Sequence, residues 1–147
     1  MESGGLNNSD CILCQIIDGK MEKSVVYEDD IVIAIMDIRP INLGHVLIFP
    51  KKHFPYMNDM DENTGKHLFT ITQHIAKAIR QSGVKCEGIN LFLADGKAAF
   101  QEVMHLHMHV FPRFKGDPFG FTCKWELKPS REELNEIAEM IKSASKL

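Results

Sequence analysis

Residues 105–110 read His-Leu-His-Met-His-Val, an alternation of polar and apolar side chains with a period of two. Strict alternation is the pattern of a half-buried β-strand, and a helical period of 3.6 would scatter it. In extended backbone His105, His107 and His109 share one face at about 6.5 Å intervals, with Leu106, Met108 and Val110 on the other. The chain must therefore build a sheet that presents its apolar side to a core and a row of imidazoles elsewhere. The first and third rings lie about 13 Å apart, too far to share one metal ion. Two neighbours could share a metal with ligands from other segments. Alternatively, one imidazole acts as a nucleophile while its neighbours serve structure or stabilise charge.

The rest of the chain supplies that sheet. Val25–Tyr27 reads as a short strand followed by the turn signal Glu28-Asp29-Asp30. Ile31–Ile38 is β-branched and apolar, hence a buried strand, and His45–Pro50 forms the next after an Arg-Pro-Ile-Asn-Leu-Gly turn. Asp61–Ser82 carries Leu68, Ile71, Ile75 and Ile79 at helical spacing and is stopped by Gly83; His67 and His74 on this helix are expected to face solvent. Gly88–Ala94 is a further strand, Asp95–Ala99 a loop of mostly small residues, and the histidine strand follows, with Pro112 marking its end or an edge. Ser130 and Glu133 form a capping box for a last helix with Leu134, Ile137, Ala138 and Ile141 as its apolar stripe. Hairpin-like spacing between neighbouring strands predicts an α+β domain, an antiparallel sheet with helices packed on it.

With 147 residues the chain is long enough for one domain with a proper core. We expect residues 1–10 to form a mobile polar tail and 11–147 a single domain. A net charge of −3 argues against a partner that is a nucleic-acid polymer, whose binders are usually basic. No apolar run is long enough to span a bilayer, and the first residues lack the blocks of a signal peptide, so no membrane partner and a cytoplasmic location are expected. Disulfides are then improbable. Cys86 and Cys123 are isolated and read as small buried hydrophobes. Cys11-Ile-Leu-Cys14 is a C-x-x-C pair, which reads as half a zinc site in preference to a redox motif, because no βαβ unit opens behind it.

The blocks Asp37-Ile38-Arg39-Pro40, Gly44-His45-Val46-Leu47-Ile48, Pro50-Lys51-Lys52-His53 and His105-Leu-His107-Met-His109-Val resemble, in order and spacing, the histidine triad (HIT) superfamily. The C-x-x-C start is similar to its zinc-carrying bacterial branch. This resemblance implies a HIT-like fold: a five-stranded antiparallel sheet with one long helix and a C-terminal helix, sheets joined across a homodimer. It implies a nucleotide hydrolase or transferase that cleaves purine nucleoside monophosphate conjugates, of phosphoramidate or dinucleoside polyphosphate type, through a nucleotidyl-histidine. The alternative is a nucleotide-binding regulatory module with negligible turnover.

Carried over residue by residue, the resemblance makes His107 the nucleophile and His109 the support of the phosphate. Asp37 would hold the ribose hydroxyls, Gln101 the phosphate region, and Met21, Ile35 and Ile38 the purine. Cys11, Cys14, His53 and His105 would bind one structural zinc per subunit, with no other cofactor. Small residues around Gly96, Ala98 and Ala99 would let backbone N–H groups approach phosphate oxygens. His45 balances between structural hydrogen bonding and a site role. Three positions depart from the family pattern: Ala94 replaces a common asparagine, Phe100 a glycine, and Glu102 a small polar residue. They bear on the leaving group, not on the reaction type.

Overall fold

The computed structural model describes residues 9–146, so most of the expected 1–10 tail lies outside the described residues. Five strands form one antiparallel sheet: β1 (Val25–Glu28), β2 (Val32–Met36), β3 (Val46–Pro50), β4 (Gly88–Leu93) and β5 (Met108–Arg113), in the order β1-β2-β3-β5-β4. Three helices accompany them: α1 (Ile12–Ile17), α2 (Glu62–Gln81) and α3 (Arg131–Ala144). The α+β expectation and the five strands hold.

Helix α2 begins and ends where its sequence signals put it. Asp61 is the N-cap and accepts the Thr64 N–H at 3.0 Å, Ser82 is the C-cap, and Gly83 turns away at φ +83°. Its stripe of Leu68, Ile71, Ile75 and Ile79 packs on Val32, Ala34, Val46, Ile48 and Val110, one side of the sheet. Each such side chain stabilises the fold by about 1.5–3 kcal/mol on burial. The opposite face carries Ile33, Ile35 and Phe49, which pack with Cys11, Leu13 and Cys14 around α1. β2 is thus covered on both sides, which explains its unbroken apolar run.

Four details differ from the sequence expectations. Only His109 of the three histidines lies within β5, because the pairing of β3 with β5 stops at Ile48 and Met108. Upstream, the chain leaves the ladder: the Leu106 N–H bonds the Phe54 carbonyl at 2.7 Å. Pro112 stands one residue before the end of β5, inside the sheet but past the last residue paired with β3. Its carbonyl accepts from the Asn42 side chain, so its ring nitrogen also faces the side that β3 has already left. His67 is not simply solvent-facing; its Nε2 lies 2.5 Å from Asp29, which ties α2 to the β1–β2 turn.

The fourth is α3. It forms with the expected Ser130–Glu133 capping box, yet it buries no residue, and Leu134, Ile137 and Ile141 stay exposed. Cys123, upstream of α3, is exposed as well, whereas Cys86 is part-buried. No helix among the described residues is long and apolar enough to cross a membrane.

Candidate functional site

Fixed-role backbone groups determine which nitrogen of each triad histidine carries the proton. A carbonyl can only accept and an amide N–H can only donate, so each contact assigns a tautomer. His105 is fully buried, and its Nε2 lies 2.7 Å from the Pro50 carbonyl. The proton is therefore on Nε2 and the Nδ1 lone pair is free. Burial pushes this imidazole down to about 4, which keeps it neutral.

That lone pair points into a cluster. His105 Nδ1 is 3.5 Å from Cys11 Sγ, 3.5 Å from Cys14 Sγ and 3.2 Å from His53 Nδ1, and Cys14 Sγ is 3.3 Å from His53 Nδ1. All four ligand atoms lie within 4.8 Å of one another. A zinc tetrahedron with bonds of about 2.3 Å to sulfur and 2.0 Å to nitrogen has edges of about 3.6 Å (S–N) and 3.3 Å (N–N). The distances fit those edges, and the group can hold a metal ion with no position left over for water. α1 delivers both thiols, because Cys11 is its N-cap and Cys14 sits one turn on.

His107 has the opposite tautomer. Its Nδ1 is 2.7 Å from the carbonyl of His105 and must donate, leaving the Nε2 lone pair without a hydrogen-bond partner among the described residues. His107 and His109 stand with ring centroids 4.9 Å apart.

His109 is set through His45. Gly44 holds φ +102°, and a Cβ there would come within 2.6 Å of Val84, so only glycine lets the chain turn His45 inward. His45 is buried, and its Nδ1 accepts the Ile41 N–H at 3.1 Å. Its proton is then on Nε2, which lies 2.9 Å from His109 Nδ1 and donates to it. His109 is left with its proton on Nε2. Burial, with His107 and His45 alongside, brings His109 down to about 4, against the pull of Asp37. Burial likewise lowers His45, with Asp37 opposing.

Asp37, His45 and His109 also cluster closely enough to raise the question of a second metal. The tautomers answer it. A neutral imidazole has one lone pair, and the Ile41 N–H already occupies that of His45. The group is a hydrogen-bonded relay. Asp37 gives one oxygen to the Arg39 N–H at 2.8 Å, and the other lies 3.5 Å from His45 Nε2.

Over these rings lies a cavity of about 310 Å³. It crosses the sheet from Asp37 after β2, over His45, His109 and His107, to Ala94, Phe100 and Glu102 after β4. Phe92, Phe111 and Phe119 supply apolar wall. Sequence reasoning missed these three, and the reason is distance along the chain. Phe119 is held by Arg113, which donates to its carbonyl at 2.6 Å while clasping Asp117 with two further N–H groups.

Other expected contacts are placed elsewhere. Ile35 is core, 4% exposed beside Phe49, and is not available to a ligand. Met21 and Ile38 are exposed and do not line the cavity. Gln101 is buried and braces its own loop: Oε1 accepts the Gly96 N–H at 2.8 Å, and Nε2 donates to the carbonyls of Pro55 and Val103. The N–H groups of Gly96, Ala99, Phe100 and Gln101 are all bonded within that loop, so these four do not form an anion cradle.

A HIT domain model matches residues 18–116. An uncharacterized HIT-like protein of Borreliella burgdorferi is 38% identical over 90% of this chain and 96% of its own. The adenylylsulfatase HINT3 of Arabidopsis thaliana is 34% identical over 85% of this chain and 60% of its own. Among solved structures, a HIT family protein from Bacillus anthracis superimposes with a TM-score of 0.87 at 36% identity, covering 94% of this chain and 99% of that one. A zinc-bound histidine triad family protein from Mycobacterium smegmatis gives 0.71 at 36% identity, covering 92% and 98%.

Proposed function

The chain belongs to the HIT domain family, and on that premise we propose that it hydrolyses or transfers the nucleoside monophosphate group of a conjugate through a covalent histidine. One observation carries this reading: His107 keeps an unshared Nε2 lone pair at the cavity while its other nitrogen is bound to a carbonyl. A nucleophilic imidazole requires that arrangement.

His107 Nε2 attacks the α-phosphorus, a phosphorus–nitrogen bond forms, and the bond to the leaving group breaks with its electron pair, an amine departing with a proton taken from solvent. The carbonyl of His105 stabilises the imidazolium through the N–H it already accepts. His109 offers its Nε2 proton to a phosphate oxygen as charge develops. Water then displaces the nucleotide, gives its proton back to solvent and restores neutral His107. The second oxygen of Asp37 accepts from the ribose hydroxyls. A divalent metal is not needed for these roles.

The metal bound by Cys11, Cys14, His53 and His105 is, in this reading, a structural zinc, since two thiolates and two imidazoles close a tetrahedron. The zinc-bound relative supports that choice, and the adenylylsulfatase relative supports chemistry at a nucleotide's phosphorus. A cytoplasmic homodimer completes the proposal, with the exposed stripe of α3 as surface for a second copy. Purified protein incubated with adenosine phosphoramidate and diadenosine polyphosphate tests it by nucleotide release. Release from either supports the reading; nucleotide binding without release from any conjugate replaces it with a binding module.

A further inference from the structure

Phe100 is the one non-glycine residue with positive φ among the described residues, at φ 68°, ψ 27°. A residue with a Cβ is strained in this left-handed region, and a bulky ring gains nothing there locally. The ring is 80% exposed, so packing does not explain the strain either. Yet it lines the cavity at the end beyond His107, opposite Asp37.

Its position is also fixed. The Phe100 N–H bonds the Lys97 carbonyl, and the Gln101 side chain ties Gly96, Pro55 and Val103 together around it. A strained conformation persists only where its surroundings over-determine it, and such sites concentrate where ligands are held. Two residues on, Glu102 lines the same end and places a carboxylate there.

Resting on the function proposed above, we infer that Phe100 is a specificity residue: its ring is a platform for a planar, apolar leaving group, and Glu102 selects against anionic ones. With the nucleoside at Asp37 and phosphorus over His107 and His109, the leaving group points to this end. A flat aromatic group would cover the exposed ring by stacking. A polyphosphate would meet the carboxylate instead.

The test uses adenosine phosphoramidates of phenethylamine and cyclohexylethylamine, which match in reach and differ in planarity, with diadenosine polyphosphate as the anionic arm. Wild type should prefer the aryl over the cyclohexyl conjugate by about three- to tenfold in kcat/KM, the size of an aromatic pair. Phe100→Gly should bring that ratio near one, Phe100→Tyr should keep it, and Glu102→Gln should raise cleavage of the dinucleotide. A ring that merely packed would lose stability on truncation. Here Phe100→Gly should hold or raise Tm, because left-handed strain is relieved. The same ratio read as Kd in a His107→Ala background separates the two proposals. If no conjugate is cleaved but the Kd ratio follows Phe100, the catalytic reading fails and this one stands. An aryl-to-cyclohexyl ratio that Phe100→Gly leaves unchanged overturns it.

Discussion

Replacing His45 by phenylalanine keeps the ring and removes both of its hydrogen bonds. The Ile41 N–H loses its acceptor and His109 Nδ1 loses its donor. The Ile41 N–H is part-buried and His109 Nδ1 can take up a proton of its own, so the variant should lose about 1–3 kcal/mol of stability, the cost of roughly one unpaired group, against a typical total of about 5–15 kcal/mol. The activity effect is separate. Without the His45 proton, His109 can take its own proton on Nδ1 and no longer offers Nε2–H to the phosphate, which should cost about 100-fold or more in turnover. His45→Gln retains an N–H at nearly the same reach and should fall between wild type and His45→Phe in both quantities. Urea unfolding reads the first effect, and nucleotide release at a temperature where the variant is folded reads the second. Long-range proton–nitrogen NMR reports the tautomer directly. Finding wild-type His109 protonated on Nδ1, or a folded His45→Phe protein with wild-type turnover, would refute the relay.

Purified protein should carry about one zinc per chain, and Cys14→Ser should lose metal and Tm together, because closing the tetrahedron is coupled to folding; elemental analysis with thermal melts checks this. His45 and His109 are held below the ordinary histidine value of 6.5, His109 at about 4. Between those values the unfolded chain binds more protons than the folded one. The contribution of His109 is therefore complete above about pH 6.5 and is lost as pH falls toward 4, by up to about 1.4 kcal/mol per pH unit, and His45 acts in the same direction. Urea melts from pH 4.5 to 7.5 should show this slope, and His45→Gln should flatten it; a wild-type stability that rises on acidification contradicts the burial of neutral imidazoles.

Local signals were the legible part of this fold. α2 was bounded within a residue at each end because Asp61 caps it and Gly83 stops it, and both act through neighbouring backbone. The four metal-ligand candidates came together as the resemblance implied, although they span residues 11–105. The extent of the histidine strand was not legible. Alternation fixes which face His105, His107 and His109 share, but ladder length depends on where β5 parts from β3 and β4, both at Met108. Phe92, Phe111 and Phe119 look like any core aromatic until Arg113 and Asp117 fold the last over the cavity. Gln101 and Gly96 were expected to face a ligand because family position says nothing about whether an amide is already bonded. The tautomers required coordinates, since each depends on a partner far along the chain.

The central claim is that the Nε2 lone pair of His107 forms a bond to phosphorus. Rapid alkaline quench during turnover of adenosine phosphoramidate, followed by peptide mass spectrometry, tests it directly, since a phosphorus–nitrogen adduct survives base better than acid. The account predicts an added nucleoside monophosphate on the peptide containing His107, and neither adduct nor turnover in His107→Ala. A His107→Ala protein that releases nucleotide at the wild-type rate would contradict it.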